Sequence, residues 1–313
     1  MKKFGKSILL FTLIMIPIYI LLLIIWEIAL PPLYKKNLNY IQGSAGFAFS
    51  RFQEVKQKQN IDVLFLGSSH TYRGFDTRIF AEEGITSFNL GSSSQSPIQT
   101  KILLNRYLDK LNPKVVVYEV YPQTFSMDGI EAGLDLISND YIDFELMKMG
   151  INLKNIKVLN TLTFTTLKNT FVDYSAYKEV QSKYGDTYIP GGFAERKMGF
   201  YQPKKFEKQD WELKESQFQK FDGIIHLLRA RNIKVLLVLA PITKNWYTCH
   251  TNTTTFEERI KKSGNYYNFN HSELFNDSLH FYDKDHLNQN GVTLFNREII
   301  RILNSQNFLN KKR

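Results

Sequence analysis

Apolar and polar positions follow two different patterns along this chain. From Ile8 to Trp26, nineteen consecutive residues carry no charge, and isoleucine and leucine dominate. At 1.5 Å per residue a helix of that length nearly crosses a hydrocarbon core of about 30 Å. Lysines precede the run, Trp26 and Tyr34 suit the opposite interface, and Pro31-Pro32 stops the helix. The run exceeds the roughly 7–15 apolar residues of a signal peptide, and no small-x-small cleavage site follows it. The pattern therefore predicts an uncleaved single-pass anchor over residues 1–36. Lys2, Lys3 and Lys6 before the helix, against Lys35 and Lys36 after it, favour an amino terminus on the inner side. Residues 37–313 then form an extracytoplasmic domain.

In that domain the pattern changes to short β-branched runs, each ended by Gly, Pro or Ser. They are Asp62–Leu66, Ser87–Leu90, Val115–Val120 and Val235–Ala240, with Tyr266–Phe269 as a fifth candidate. Uninterrupted apolar runs such as Val-Val-Val-Tyr predict strands covered on both faces, hence a mostly parallel sheet. Helical spacing fits between them: Asp76 caps a helix carrying Ile79 and Phe80, Pro97–Leu111 forms another, and Trp211–Arg231 a third. The fold class expected is a three-layer α/β/α domain with a five-stranded sheet. Gln123–Gln209 is far longer than one crossover helix, so residues 123–209 are expected to be an inserted cap or partner-binding subdomain beside the carboxyl ends of the strands.

Charge narrows the function. Of a net +10, most lies at the two ends, in the lysines around the anchor and in Arg301, Lys311, Lys312 and Arg313. The body is nearly neutral, without the basic, aromatic-interleaved face of a nucleic-acid-binding protein. Lys311-Lys312-Arg313 reads as a solvated tail. The single Cys249 excludes an internal disulfide and a thiolate-rich zinc site.

Candidate chemistry sits at two places. The first strand runs into Gly67-Ser68-Ser69-His70, which presents a hydroxyl at a strand's carboxyl end, although small polar residues also simply form turns. Late in the chain stands Asp283-Lys284-Asp285-His286, before an apolar helical pattern through Val292, Phe295, Ile299 and Ile302. A serine hydroxyl needs an imidazole to take its proton, and the imidazole needs a carboxylate to orient it. His286 and Asp283 have the residue types for both tasks; equally, Asp285 is a helix cap and His286 a first-turn residue. His280, Asp283, Asp285 and His286 lack the two-His helical spacing of zinc hydrolases, so no metal or other cofactor is expected. Trp246-Tyr247 and Phe200-Tyr201 read as core or cap packing.

Taken together these blocks resemble the SGNH, or GDSL-like, hydrolases. Gly67-Ser68-Ser69 is similar to their first block, with Ser68 in place of the usual Asp. Phe88-Asn89-Leu90-Gly91 is similar to the second, and Asp283-Lys284-Asp285-His286 to the Asp-x-x-His block. The resemblance implies Ser69 as nucleophile, His286 as base, Asp283 as its orienting acid, and the amides of Ser69 and Gly91 as the oxyanion hole. It covers the α/β framework and excludes the insertion. Where the family has Gly-x-Asn-Asp after the third strand, this chain reads Tyr118-Glu119-Val120-Tyr121-Pro122. That leaves a third oxyanion donor to Ser94, Gln95 or Tyr121. These three, with His70 and Arg73, are the candidate substrate-binding residues; His70 and Arg73 read equally as solvated loop residues.

Within the superfamily, the anchor, the Gly-Ser-Ser turn and the long insertion look most like the cell-envelope acyltransfer branch, which includes the DltD and alginate-acetylation proteins. The resemblance implies an acyl group moved to or from an envelope glycan or polymer, beside a membrane-bound O-acyltransferase. Two function classes follow: a serine-dependent esterase or O-acyltransferase, or a catalytically weak anchored scaffold that binds an envelope polymer or that acyltransferase.

Overall fold

The computed structural model describes residues 2–43, 46–171 and 177–309, and Lys311-Lys312-Arg313 lies outside them. The described strands are β1 (Val63–Leu66), β2 (Ser87–Asn89), β3 (Val115–Glu119), β4 (Ser182–Lys183), β5 (Asp186–Ile189), β6 (Phe193–Arg196), β7 (Lys234–Leu239) and β8 (Asn265–Asn268). The α-helices are α1 (Lys2–Ala29), α2 (Ala48–Val55), α3 (Ser69–Gly74), α4 (Thr77–Glu82), α5 (Pro97–Leu111), α6 (Pro122–Ser126), α7 (Ile130–Asn139), α8 (Phe144–Asn152), α9 (Ile156–Phe171), α10 (Glu215–Ala230), α11 (Lys244–Thr248), α12 (Thr253–Lys261), α13 (Asp277–His280) and α14 (Gln289–Ser305). Two compact units divide the chain: residues 1–42 with 133–177, and residues 43–132 with 178–313.

The smaller unit is organised by α1, long and apolar enough to cross a membrane, with most side chains exposed. Helix α9 lies along it. The Tyr19 hydroxyl donates to Asn160 Oδ1 at 2.7 Å, and Leu23 packs with Leu38 and Phe164. Asn160 Nδ2 in turn holds the chain after α1 through the Asn37 carbonyl at 2.9 Å.

The larger unit is built on a five-stranded parallel sheet in the order β2-β1-β3-β7-β8. All of β1 and β3 is buried, as the unbroken apolar runs require of strands covered on both faces. Val63, Phe65, Val117, Leu236 and Val238 point to one face, where they join Phe75 and Phe80 around α4 and Phe295 and Ile299 of α14. On the opposite face Tyr118 meets Phe221 of α10, ring centroids 5.7 Å apart, with α5 packed beside α10. The three-layer arrangement expected from the sequence is the one observed. Helix α5 has the expected limits, opened by a capping box between Ser96 and Gln99, and Asp76 caps α4 by accepting the Arg78 amide at 3.0 Å.

Two helix starts differ from the sequence pattern. Trp211 stays outside α10 because its ring stacks on His250 at 3.4 Å between centroids. Helix α14 begins at Gln289, where Asn288 Oδ1 accepts the Gly291 amide at 3.1 Å, so Asp283–His286 forms a turn of its own before the helix and Asp285 is not its cap.

Of the stretch 123–209, residues 133–177 lie in the smaller unit and the remainder lies with the sheet. Its strands β4, β5 and β6 pair antiparallel. The β5–β6 turn passes through Gly191 and Gly192 at φ +97° and +91°, and there the Gly191 carbonyl accepts the Asn89 amide at 2.7 Å. A side chain at Gly192 would collide with the Asn89 backbone.

Candidate active site

The carboxyl end of β1 turns sharply at Gly67, whose φ of +136° suits glycine, and where a Cβ would meet the Glu119 carbonyl at 2.8 Å and the Thr71 hydroxyl. Ser68 then caps α3, its Oγ accepting the His70 amide at 3.3 Å. Ser69 follows as the first residue of α3, half-buried, with its amide among the first-turn N–H groups that have no carbonyl partner within the helix. Two buried asparagines hold α3 from behind. Asn89 Nδ2 donates to the carbonyls of Thr71 at 2.7 Å and Phe75 at 3.2 Å. Asn296 of α14 donates to the Gly74 carbonyl at 2.7 Å and accepts the Asp76 amide at 3.1 Å.

The turn before α14 comes to the same edge. Its Lys284 carbonyl accepts from the Thr243 amide at 3.0 Å and the Thr243 hydroxyl at 2.6 Å, just beyond β7. Within the turn, Asp283 Oδ1 accepts the amides of Asp285 at 3.0 Å and His286 at 2.8 Å. The imidazole is thereby aimed at the serine: Ser69 Oγ and His286 Nε2 are 2.8 Å apart. On the other side of the ring, Nδ1 lies 3.0 Å from both Asp283 oxygens and 3.2 Å from Asp285 Oδ1. Ser69, His286 and Asp283 thus form one contiguous hydrogen-bonded line.

Electrostatics at this edge is set by burial against charge. Burial opposes a charge on His286, but the hydrogen bonds and negative charges of Asp283 and Asp285 outweigh it and raise its pKa to about 9. Both carboxyls are held below the ordinary range: burial opposes their ionisation, and hydrogen bonding to His286 overcomes it. His70 stacks on His286 with centroids 4.9 Å apart and planes 14° from parallel. Burial, then the charge of His286, lowers its pKa to about 4, so it stays neutral there. Beneath the turn, burial raises the Glu119 carboxyl to about 8, although Ser68 donates to it at 3.2 Å.

The other sequence candidates take different positions. Gly91 is at the site, packed where a Cβ would meet the Ser68 carbonyl at 2.9 Å, and its amide donates to Asn89 Oδ1 at 3.2 Å. Gln95 is buried and spent on Ser92 and Thr100. Tyr121 is buried behind the imidazoles, accepting from Trp246 Nε1 at 2.8 Å and donating to Asp285 Oδ2 at 3.2 Å. His70 is buried, contrary to its reading as a solvated loop residue, and Arg73 pairs with Asp186 at 2.7 Å. Ser94, in a left-handed conformation, donates to Glu131 at 2.9 Å. His70, Asp285 and His286 present one donor atom each within 4.8 Å. The nearly parallel imidazole planes do not direct their in-plane lone pairs to one point, as a tetrahedral ion requires.

Comparison with known proteins bears on this arrangement. Residues 179–304 match the family model described as DltD protein, a stretch that contains Asp283–His286 and excludes Ser69. Over that stretch, about two fifths of the chain, the protein is similar to the DltD protein family. Similar solved structures include a proposed acylhydrolase from Bacteroides fragilis NCTC 9343, 12% identical, with 84% of this chain and 98% of that one covered at a TM-score of 0.42. A GDSL-like lipase from Bacteroides thetaiotaomicron VPI-5482 is also 12% identical, covering 83% of this chain and 98% of that one, again at 0.42. A search of curated proteins finds no match.

The first block departs from the SGNH pattern that the sequence resembles. Ser68 stands where the first block has Asp, and its hydroxyl donates to a buried carboxyl from Glu119 at the end of β3. Sequence reasoning gives no role to Glu119, Asn296 or the acceptor function of Asp285. Each leaves a signal: an acid ending a wholly apolar strand, an asparagine inside the apolar stripe of α14, and a second carboxylate next to the histidine.

Proposed function

We propose that the protein is a membrane-anchored, serine-dependent esterase or O-acyltransferase acting on acyl groups, of acetyl or D-alanyl type, carried by a cell-envelope glycan or polymer. The observation that carries this reading is the 2.8 Å approach of Ser69 Oγ to His286 Nε2, with Asp283 on the far nitrogen. The similarity of residues 179–304 to the DltD protein family supports the envelope acyl substrate, the apolar α1 supports single-pass anchoring, and three lysines before it against two after it favour residues 37–313 outside. A tether confines enzyme and envelope substrate near one surface and raises their effective concentration. A membrane-bound O-acyltransferase is the partner this reading implies.

In this mechanism Ser69 Oγ attacks the acyl carbonyl while His286 Nε2 takes its proton, and the Ser69 amide donates to the developing oxyanion. The C–O bond to the leaving alcohol breaks as His286 returns the proton to it, leaving an acyl group on Ser69. Water, or a glycan hydroxyl, then attacks the acyl-enzyme with His286 again as base. Asp283 fixes the ring and stabilises its charged form. Because the base must be neutral, turnover rises with pH toward the His286 ionisation near 9, about tenfold per unit on the acid side.

Three contacts favour the second reading, an anchored scaffold that binds the polymer or the acyltransferase: the Gly91 amide donates to Asn89, and Gln95 and Tyr121 are spent on protein partners. Incubating the full chain in lipid nanodiscs with O-acetylated and D-alanylated model glycans separates the two. Release or transfer of the acyl group, absent in Ser69→Ala, is expected. Retention of glycan binding with no turnover in either protein would favour the scaffold.

A further inference from the structure

Two carboxylates compete for one imidazole proton at this site, and they stand in unlike surroundings. Asp283 is the one the Asp-x-x-His spacing supplies, and its side chain is 38% exposed. Asp285 is buried, with its side chain only 11% exposed and its Oδ1 3.2 Å from His286 Nδ1. Its second oxygen is held by the Tyr121 hydroxyl at 3.2 Å, which itself accepts from the Trp246 indole at 2.8 Å. Lys284 Nζ approaches that oxygen at 3.4 Å and also caps the Trp246 ring, 3.3 Å from its centroid. A lone structural carboxylate would not need to share the only proton on Nδ1, which has room for a three-centre bond.

We infer that Asp285 is a second positioning carboxylate for His286, suspended from the Tyr121–Trp246 pair, so that the imidazole keeps its tautomer and orientation from two acids rather than one. The inference rests on the Ser69–His286 mechanism above. The buried acid is the better placed to hold the ring, because water screens it least. Asp283 orders the turn through two amides as well as touching the ring. The groups facing the imidazole are Ser69 and His70 from α3, Glu119 at the end of β3 and Tyr121 beyond it, and Asp283, Lys284 and Asp285 of its own turn. Of these, Asp283 and Asp285 bring negative charge to Nδ1, which explains a histidine ionising near 9 despite its burial.

The rate of covalent labelling by a fluorophosphonate probe, measured from pH 6 to 10 on the full chain in nanodiscs, tests this, because a merely structural residue changes the amplitude and not the position of the acid limb. In Asp285→Asn the limb is expected to move about one pH unit or more toward lower pH, since a negative charge beside the imidazolium is removed. In Asp283→Asn labelling is expected to persist, with a limb still above the ordinary histidine value of about 6.5. The double variant is expected to fall to that value or below. An Asp285→Asn limb superimposed on the wild type overturns the inference, as does an Asp283→Asn limb equal to that of the double variant. Should Asp285→Asn fail to fold, the second comparison is replaced by Asp283→Asn against the ordinary value, and a limb at or below about 6.5 overturns the inference. An unlabelled wild-type protein overturns the nucleophile reading itself, a result distinct from a labelled protein with an unmoved limb.

Discussion

The ends of β1 and β3 lie side by side, with Leu66 registered against Tyr118, yet they are built in opposite ways. After β1 the chain turns through a left-handed glycine and lifts a half-buried serine to the edge. At the end of β3 it buries Glu119, Val120 and Tyr121 in succession. The first end displays a reactive group and the second supports it, with Glu119 beneath Ser68 and Tyr121 behind Asp285. The contrast teaches that the carboxyl edge of a parallel sheet gathers the site, while burial decides which strand end faces substrate and which braces the one that does.

The largest effect expected at the displayed end is on turnover. Ser69→Ala or His286→Ala is expected to lower acyl release by at least about 10⁴-fold with folding intact, measured by single-turnover kinetics beside thermal unfolding. On stability, Gly67→Ala forces a side chain into left-handed backbone against the Glu119 carbonyl. A loss on the order of 3 kcal/mol is expected in denaturant unfolding, and an unchanged midpoint would break the account of the turn.

At the supporting end the expected effect depends on pH. Burial keeps the Glu119 proton on in the folded state up to about 8, whereas the unfolded chain releases it near 4.5. The folded state therefore holds more protons in that window, and this group's contribution to stability falls as pH rises through it. Glu119→Gln is expected to flatten that decline in melting temperature between pH 5 and 8; an unaltered slope would contradict a buried neutral acid. His70 works in the other direction. Its folded pKa of about 4 lies below the unfolded 6.5, so stability is lost as pH falls from 6.5 to about 4. Smallest of all, Ser94→Ala changes an exposed hydrogen bond to Glu131 and is expected to shift stability by less than about 0.5 kcal/mol.

The same contrast marks what is legible in the sequence. Strands β1, β3 and β7 announce themselves because both their faces are covered, and a short, unbroken β-branched run suits little but a buried strand. Ser69 and His286 are legible because glycine, small residues and an Asp-x-x-His spacing are local signals. What stays hidden depends on contacts between distant segments. Tyr121 and Gln95 carry polar groups that a sequence offers to substrate as readily as to protein, and only their partners, Asp285, Trp246 and Thr100, consume them. The start of α14 escapes the sequence pattern because Asp283 spends its carboxylate on its own turn while Asn288 does the capping. The β4–β6 sheet escapes it too, because its strands are two to four residues long, too short for an alternating pattern.

Ser69 as an activated nucleophile is open to peptide mapping after fluorophosphonate treatment of the full chain. One covalent adduct is expected, on the peptide containing Ser69, lost in both Ser69→Ala and His286→Ala. An adduct on another residue, or none at any pH up to 10, would contradict it.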